Sequence, residues 1–446
     1  MIFSARTAHR LLAAVAVIGF ASLAEAQTGP ARPAPSSAAE RVYELARPKL
    51  LQIRTLVSQA GRQSSLGSGF LVADGGLAVT NYHVVSQYAL DPRTYRMEYT
   101  AADGSKGELQ LLALDIANDL AVVRLEAKGK PAFEFDPRAM DGTLPKGERL
   151  YSMGNPLDLG FTIVEGTYNG MVERSYSDRV HFSGALNPGM SGGPAVAGEG
   201  RIVGVNVSKR FGGEQVSFLV PARFASALVA RAADAAPLSP ADVRADIGRQ
   251  LARRQSALVE AIGDAGFKMA DAGPYRAPEA AAPWFTCWAR TNEVEIPPPR
   301  ARQSTTNCTS DTQIFVANDL LTGAIQLSHS YMKSASLNDF QFAAYLSQRS
   351  AAALSGGWSK KWFTQQRCHS DFVHAAATDG ERPRLLTRWC ARAYREFEGL
   401  YDIGVTVVTQ DSASEALVSQ MNVQAVGYDS AVALAKRFIE AVQWAR

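Results

Sequence analysis

The first 286 residues contain no cysteine, and no Cys-x-x-Cys pair occurs anywhere in the chain. That removes the spacing on which thiolate zinc sites are usually built. Charge of one sign is also lacking. The 46 basic and 43 acidic side chains leave a net charge of +3, which argues against a dedicated nucleic-acid binder. Beyond the first 24 residues no apolar run approaches the roughly 20 residues that span a bilayer. No internal repeat stands out at the roughly 20–50-residue period of solenoids and propellers. Apolar residues themselves are plentiful, at 46% against 20% charged, so the chain can bury a core. At roughly 100–200 residues per domain, 446 residues allow two or three domains.

The amino terminus reads as a leader. Arg6 and Arg10 precede a 14-residue, largely apolar stretch from Leu11 to Ala24, and Ala24-Glu25-Ala26 fits a small-x-small cleavage site. Residues 1–26 are therefore expected to be a signal peptide, with the mature chain in the periplasm or secreted, and no membrane span after cleavage. The cysteines agree. Cys287, Cys308, Cys368 and Cys390 are an even set in the last 160 residues, as expected of disulfides in an exported protein. Three connectivities are possible. Cys287–Cys308 and Cys368–Cys390 close loops of similar length, each worth about 3 kcal/mol, and are favoured. The rival is a metal site from Cys368, His369, His374 and Cys390.

Residues 27–48 read as a linker and a short helix. From 49 to 232, short β-rich runs such as Gly69-Phe70-Leu71-Val72 and Leu120-Ala121-Val122-Val123 alternate with Gly, Asp and Asn turns, the texture of an all-β barrel or sandwich. Ser239-Pro240-Ala241-Asp242 reads as an N-cap, a proline at the first helical position and an acid at the third. It opens a helix to about Ile262 and an α+β accessory region, 239–446, that ends in an amphipathic helix from about Asp429. The tryptophans of this region read as core.

Three stretches carry chemistry: Gly67-Ser68-Gly69-Phe70 with Thr80-Asn81-Tyr82-His83; Asp115-Ile116-Ala117-Asn118-Asp119; and Asn187-Pro188-Gly189-Met190-Ser191-Gly192-Gly193. A serine hydroxyl needs a neighbouring base to become a nucleophile. Histidine suits that task, and a carboxylate on its other ring nitrogen holds the tautomer and stabilises the imidazolium. Ser191 is the expected nucleophile, His83 the base and then acid, and Asp119 the orienting carboxylate. The backbone N–H groups of Gly189 and Ser191 are the expected oxyanion hole. The set calls for no cofactor and no metal.

These residues, with Gly154-Asn155-Pro156-Leu157 and Gly166, resemble the trypsin-like serine proteases, most closely the HtrA/Deg branch. The resemblance covers roughly residues 40–225. It implies a double six-stranded β-barrel with the triad between the barrels, and endopeptidase activity on unfolded or damaged polypeptides. Met190 stands where the branch usually has Asn. Residues 240–446 do not fit the PDZ pattern that usually follows. Ala185, six residues before Ser191, resembles the base of the primary specificity pocket, and Val205-Asn206-Val207 is expected to form one wall. With no acid at Ala185 the pocket should take small or medium apolar residues, since a buried cation without a partner is expensive. The rival function is a latent or non-proteolytic chaperone or binding protein on a protease fold, its partner recognised by the C-terminal region.

Overall fold

A computed structural model describes residues 37–73, 75–126, 129–209, 216–351, 354, 356–357, 359–375 and 384–444. The expected signal peptide lies outside the described residues. The first helix, α1 (Ser37–Ala46), buries Ala39, Val42 and Ala46 on one face and leads into an antiparallel sheet. Its strands are β1 (Leu50–Val57), β2 (Arg62–Ala73), β3 (Leu77–Thr80), β4 (Tyr95–Ala101), β5 (Lys106–Glu108), β6 (Gln110–Asp115) and β7 (Leu120–Arg124), with α2 (Tyr82–Leu90) between β3 and β4. The order is β5-β4-β1-β2-β3-β7-β6.

A short helix, α3 (Pro137–Met140), precedes the second set: β8 (Arg149–Gly154), β9 (Thr162–Met171), β10 (Val180–Phe182), β11 (Pro194–Val196), β12 (Ile202–Lys209) and β13 (Ser217–Pro221). These six close into a barrel, β10-β13-β12-β11-β8-β9. The expectation of two six-stranded barrels needs correcting for the first, which is a seven-stranded sheet left open between β5 and β6. The apolar surface that closure would bury is instead covered by α2 and by elements from beyond residue 239, described next.

Helix α4 (Ala222–Ala232) folds back on the first sheet. Helix α5 (Pro240–Ala265) then starts with the capping box expected of Ser239 and Asp242. Its buried side chains, Val243, Ile247, Leu251, Leu258 and Ile262, recur at helical spacing. The first three join Tyr82, Val84 and Leu51 in one core; Leu258 and Ile262 enter a second core. That second core gathers side chains from the rest of the chain, which comprises β14 (Phe267–Ala272), β15 (Tyr275–Ala280), β16 (Phe285–Thr291), β17 (Ala301–Ser310), β18 (Ile314–Ala317), β19 (Leu320–Thr322), β20 (Ile325–Ser334), α6 (Asp339–Arg349), β21 (Arg367–His374), β22 (Arg384–Ala393), β23 (Leu400–Thr409), β24 (Glu415–Gly427), α7 (Tyr428–Glu440) and β25 (Gln443–Trp444). Seven of these strands form the sheet β16-β17-β20-β24-β23-β22-β21; β14-β15-β25 and the hairpin β18-β19 stand apart.

The protease-like sheets and the α+β region make one compact unit. Ile314 and Val316 of the hairpin, with Val243, Ile247 and Leu251, are at most 3% exposed in the shared core. At about 1.5–3 kcal/mol per buried side chain, this junction is far too costly to open by thermal fluctuation. The disulfides pair as favoured, Cys287–Cys308 and Cys368–Cys390. Each joins directly opposed residues of an edge strand and its neighbour, β16 to β17 and β21 to β22. The sulfurs that the rival metal site needed are spent in the second bridge. Trp284 and Trp362 are buried as expected, but Trp288 is 73% exposed on its edge strand. Trp358 lies outside the described residues.

Candidate active site

Strand β3 ends at Thr80, and the chain turns at Asn81 into α2, which puts His83 in the helix's first turn. First-turn N–H groups have no helical partner, and the β6–β7 turn supplies one. The Asp119 carboxylate accepts from His83 N at 2.9 Å and meets His83 Nδ1 at 2.6 Å. Its backbone oxygen accepts from Tyr82 N at 3.1 Å and from Asn81 Nδ2 at 2.8 Å. Asp119 adopts φ 58°, which an aspartate tolerates better than most residues. Asp115 secures the turn through both oxygens to Asn118. The couple is half-screened, with side chains 29% and 17% exposed.

Burial pulls the imidazole of His83 down, but the Asp119 carboxylate, through its charge and its hydrogen bond, outweighs burial and holds the ring above its ordinary 6.5. Arg179 lies nearby, pulled down by burial and held charged by Asp119, Asp311, Asp115 and Asp178.

Ser191 sits in the turn between β10 and β11, and nearly every carbonyl around it is pinned. Ser68 N donates to Ser191 O at 2.8 Å, and Ser68 Oγ donates to Gly189 O at 2.7 Å while accepting from Asn155 N at 2.9 Å. Leu157 N donates to Pro188 O at 3.1 Å. Met190 O accepts from Gly193 N at 3.0 Å and from Asn206 Nδ2 at 3.2 Å. In a trans peptide the C=O and N–H point opposite ways. Holding Pro188 O therefore aims the Gly189 N–H, and holding Met190 O aims the Ser191 N–H. Among the described residues neither N–H is taken by another group. Gly189 must be glycine: φ is 94°, and a Cβ would lie 2.5 Å from Asn155 O. Met190 is fully buried with Leu150, Phe182 and Leu219, and so anchors the turn in the barrel core.

The structure thus brings His83 and Asp119 into direct contact; among the described residues Ser191 Oγ makes no hydrogen bond to His83. Among the described residues the only hydrogen bond of Ser191 Oγ is to Val207 O at 3.5 Å. Ala185 is exposed in the approach to the turn. The expected pocket wall needs correcting. Val205 is fully buried and faces the core with Phe70 and Val79. Asn206 is fully buried too, its amide bonded to Met153 O, Met190 O and Ser152 Oγ. In a strand one residue faces one side and the next the other, and here both sides of β12 are interior. Half-buried Val207 meets Ser191 Oγ through its carbonyl, and the Asn206 backbone holds Gly192 and Gly193.

Three contributors have no role in the sequence reading, and a fourth has the wrong one. Ser68 and Asn155 lay inside quoted motifs without roles; a serine between two glycines was the available signal. Asn206 was assigned to the wrong surface. Phe315 had no signal at all. Its ring meets the His83 ring edge-on, centroids 6.1 Å apart, from far along the chain. Among the described residues no three His, Cys, Asp or Glu side chains converge as a metal cluster.

Residues 67–205 match the family described as the trypsin-like peptidase domain, and the fold of the two sheets is that of such a protease. The chain is similar to the putative serine protease HhoB of Synechocystis sp., 33% identical over 169 residues, 36% of this chain and 38% of that protein. It is similar to a probable periplasmic serine endoprotease DegP-like of Chlamydia muridarum, 30% identical over 176 residues, 38% of this chain and 34% of that one. A relative of the same description from Bartonella henselae is 32% identical over 175 residues, 38% and 33%. Among solved structures, the serine endoprotease from Yersinia pestis aligns at 24% identity with a TM-score of 0.39, covering 45% of this chain and 68% of that chain. The matched segment spans little more than a third of the length of these curated relatives.

Proposed function

We propose that the chain is a serine endopeptidase using His83, Asp119 and Ser191. The observation that carries this is the two-point grip of Asp119 on His83; the Ser191 turn, whose flanking peptides are held with their N–H groups unoccupied among the described residues, supports it. The Ser191 hydroxyl proton passes to His83 Nε2 as Oγ bonds to the substrate carbonyl carbon. Negative charge collects on the former carbonyl oxygen, facing the N–H groups of Gly189 and Ser191. Asp119 stabilises the imidazolium. The C–N bond then breaks as His83 returns the proton to the leaving amine, giving an acyl-enzyme. Water repeats the cycle and frees Ser191.

Polypeptides are the substrates on this reading, unfolded or damaged proteins of the cell envelope in particular. The two disulfides, the leader-like first 26 residues and the periplasmic label of similar proteases support an exported enzyme, periplasmic rather than secreted. Ala185 brings no acid to the pocket, favouring cleavage after small or medium apolar residues. The region beyond 239 is read as an accessory to catalysis, without a PDZ role.

A latent resting state is the second reading, and the Ser191–Val207 hydrogen bond favours it. Labelling the full chain with a fluorophosphonate, with Ser191→Ala as control and casein digestion alongside, tests both. Ser191-dependent labelling with casein loss is expected. Absent labelling defeats the endopeptidase reading for the resting chain.

A further inference from the structure

We infer that Phe315, carried by the C-terminal region, is a positioning residue for His83, so that the α+β region completes the catalytic site. The inference rests on the endopeptidase reading.

The hairpin β18-β19 reaches α2 from outside the protease-like sheets. Along β18 the side chains alternate. Ile314 and Val316 are 3% and 0% exposed in the shared core. Phe315, half-buried between them, contacts two aromatic rings of the first turn of α2. Its centroid lies 6.3 Å from Tyr82 and 6.1 Å from His83, with interplanar angles of 67° and 76°. Edge-to-face contacts at these distances are directional. The backbone is tied at the same place, because Tyr82 OH donates to Val316 O at 2.9 Å. Burial raises the Tyr82 hydroxyl pKa, so it stays a donor.

The hairpin is itself fixed. Thr312 Oγ1 donates to Gly323 O at 2.7 Å, and the Thr322 and Tyr394 hydroxyls are hydrogen-bonded. Just upstream, Ser175 Oγ donates to Asp311 Oδ2 at 2.7 Å. Asp119 grips one ring nitrogen of His83 and leaves the imidazole free to swing about that bond. The Phe315 edge narrows the swing and keeps water from one side of the ring. Phe315 also packs, half-buried, against the core that Ile314 and Val316 enter, and its ring is the part of the hairpin that meets His83. The arrangement gives the junction a catalytic purpose: a protease segment without the hairpin would keep its triad residues and lose one restraint on its base.

The test compares the full-length protein with Phe315→Ala, Phe315→Leu and Tyr82→Phe. The readouts are the rate of Ser191 acylation by a fluorophosphonate, its pH dependence, and kcat and KM on an unfolded casein substrate. Misplacing a reacting group by about 1 Å can cost about a hundredfold, so Phe315→Ala is expected to slow acylation and kcat by roughly ten- to a hundredfold with KM little changed. The charged group acting on His83 is Asp119, whose charge Arg179 and Tyr82 also feel, and all three are retained in Phe315→Ala and Phe315→Leu. Burial lowers the His83 pKa, so admitting water raises it and moves the acid limb of the profile to higher pH. Phe315→Leu should restore part of the rate. If Phe315→Ala does not fold, Tyr82→Phe carries the test, with several-fold slower acylation and the same direction of pH shift expected. Wild-type rates and profile in the folded variants overturn the inference. So does a change confined to KM, which would make Phe315 a substrate contact. Absent Ser191-dependent labelling in the unaltered chain defeats the endopeptidase reading and this inference with it.

Discussion

Asn206→Asp separates two accounts of one strand. If Asn206 lined the specificity pocket, the change would place an acid there and favour cleavage after Lys or Arg. The structure assigns it other work: its amide nitrogen donates to Met153 O at 2.9 Å and to Met190 O at 3.2 Å, and its oxygen accepts from Ser152 Oγ at 2.8 Å. Asp keeps the shape and the acceptor and deletes both donations. Two lost hydrogen bonds cost about 1 kcal/mol each. An ionised carboxylate left buried against two carbonyl oxygens costs several kcal/mol more. The sum is about 5 kcal/mol at neutral pH, comparable to the whole stability of a marginal domain. The new acid would avoid this by staying protonated, with a folded-state pKa well above its reference of about 3.9. Its penalty is therefore small near about pH 4 and grows as the pH rises above that value. Urea midpoints at about pH 5 and about pH 8, with cleavage of peptides bearing Val or Lys before the scissile bond, are the assay. We expect a large loss of stability that eases at the lower pH, loss of activity on both peptides, and no gain for Lys. Wild-type stability with new cleavage after Lys would refute the placement.

Asp119→Asn should cost on the order of 10⁴ in turnover, measured as kcat on casein-derived peptides; a loss below tenfold removes Asp119 from the mechanism. Catalysis needs neutral His83, whose pKa is held above 6.5, so acylation should rise with pH through a midpoint above that value. The same shift has a stability sign: a raised folded-state pKa contributes stability fully below the unfolded value and loses it as pH rises through the folded one. A titration midpoint below 6.5 would contradict the geometry. Gly189→Ala forces a side chain to φ 94° against Asn155 O. Strain of about 1–3 kcal/mol and a fall of about 10²–10³ in kcat from a displaced oxyanion donor are expected, read by denaturation and by labelling rate.

What was legible in the sequence was local. The His83, Asp119 and Ser191 stretches each carry their chemistry within a few residues. The capping box at Ser239 and Asp242 announces α5, and two cysteine pairs with similar separations pair as favoured. Contacts between distant segments were not legible. Val205-Asn206-Val207 reads as an ordinary alternating strand, and only the closed barrel shows that both of its sides are interior. The open first sheet depends on Ile314 and Val316 arriving from elsewhere, and the Phe315–His83 contact depends on that same arrival. A hydrophobic pattern says that a face is buried, not what buries it.

The two bridges have a consequence for the protein's own survival. A protease that takes extended, unfolded chain is a threat first to any strand of its own that frays. Edge strands fray most readily, because only one side is hydrogen-bonded. In the seven-stranded sheet the outermost strands, Phe285–Thr291 and Arg367–His374, are the two stapled to their neighbours. With the bridges closed, neither can peel away far enough to enter a neighbouring molecule's cleft. With them reduced, self-digestion should begin within these two segments, as mass mapping of the nicked chain would reveal; first cuts elsewhere would deny the bridges this role. On that account the bridges serve to guard the chain against copies of itself.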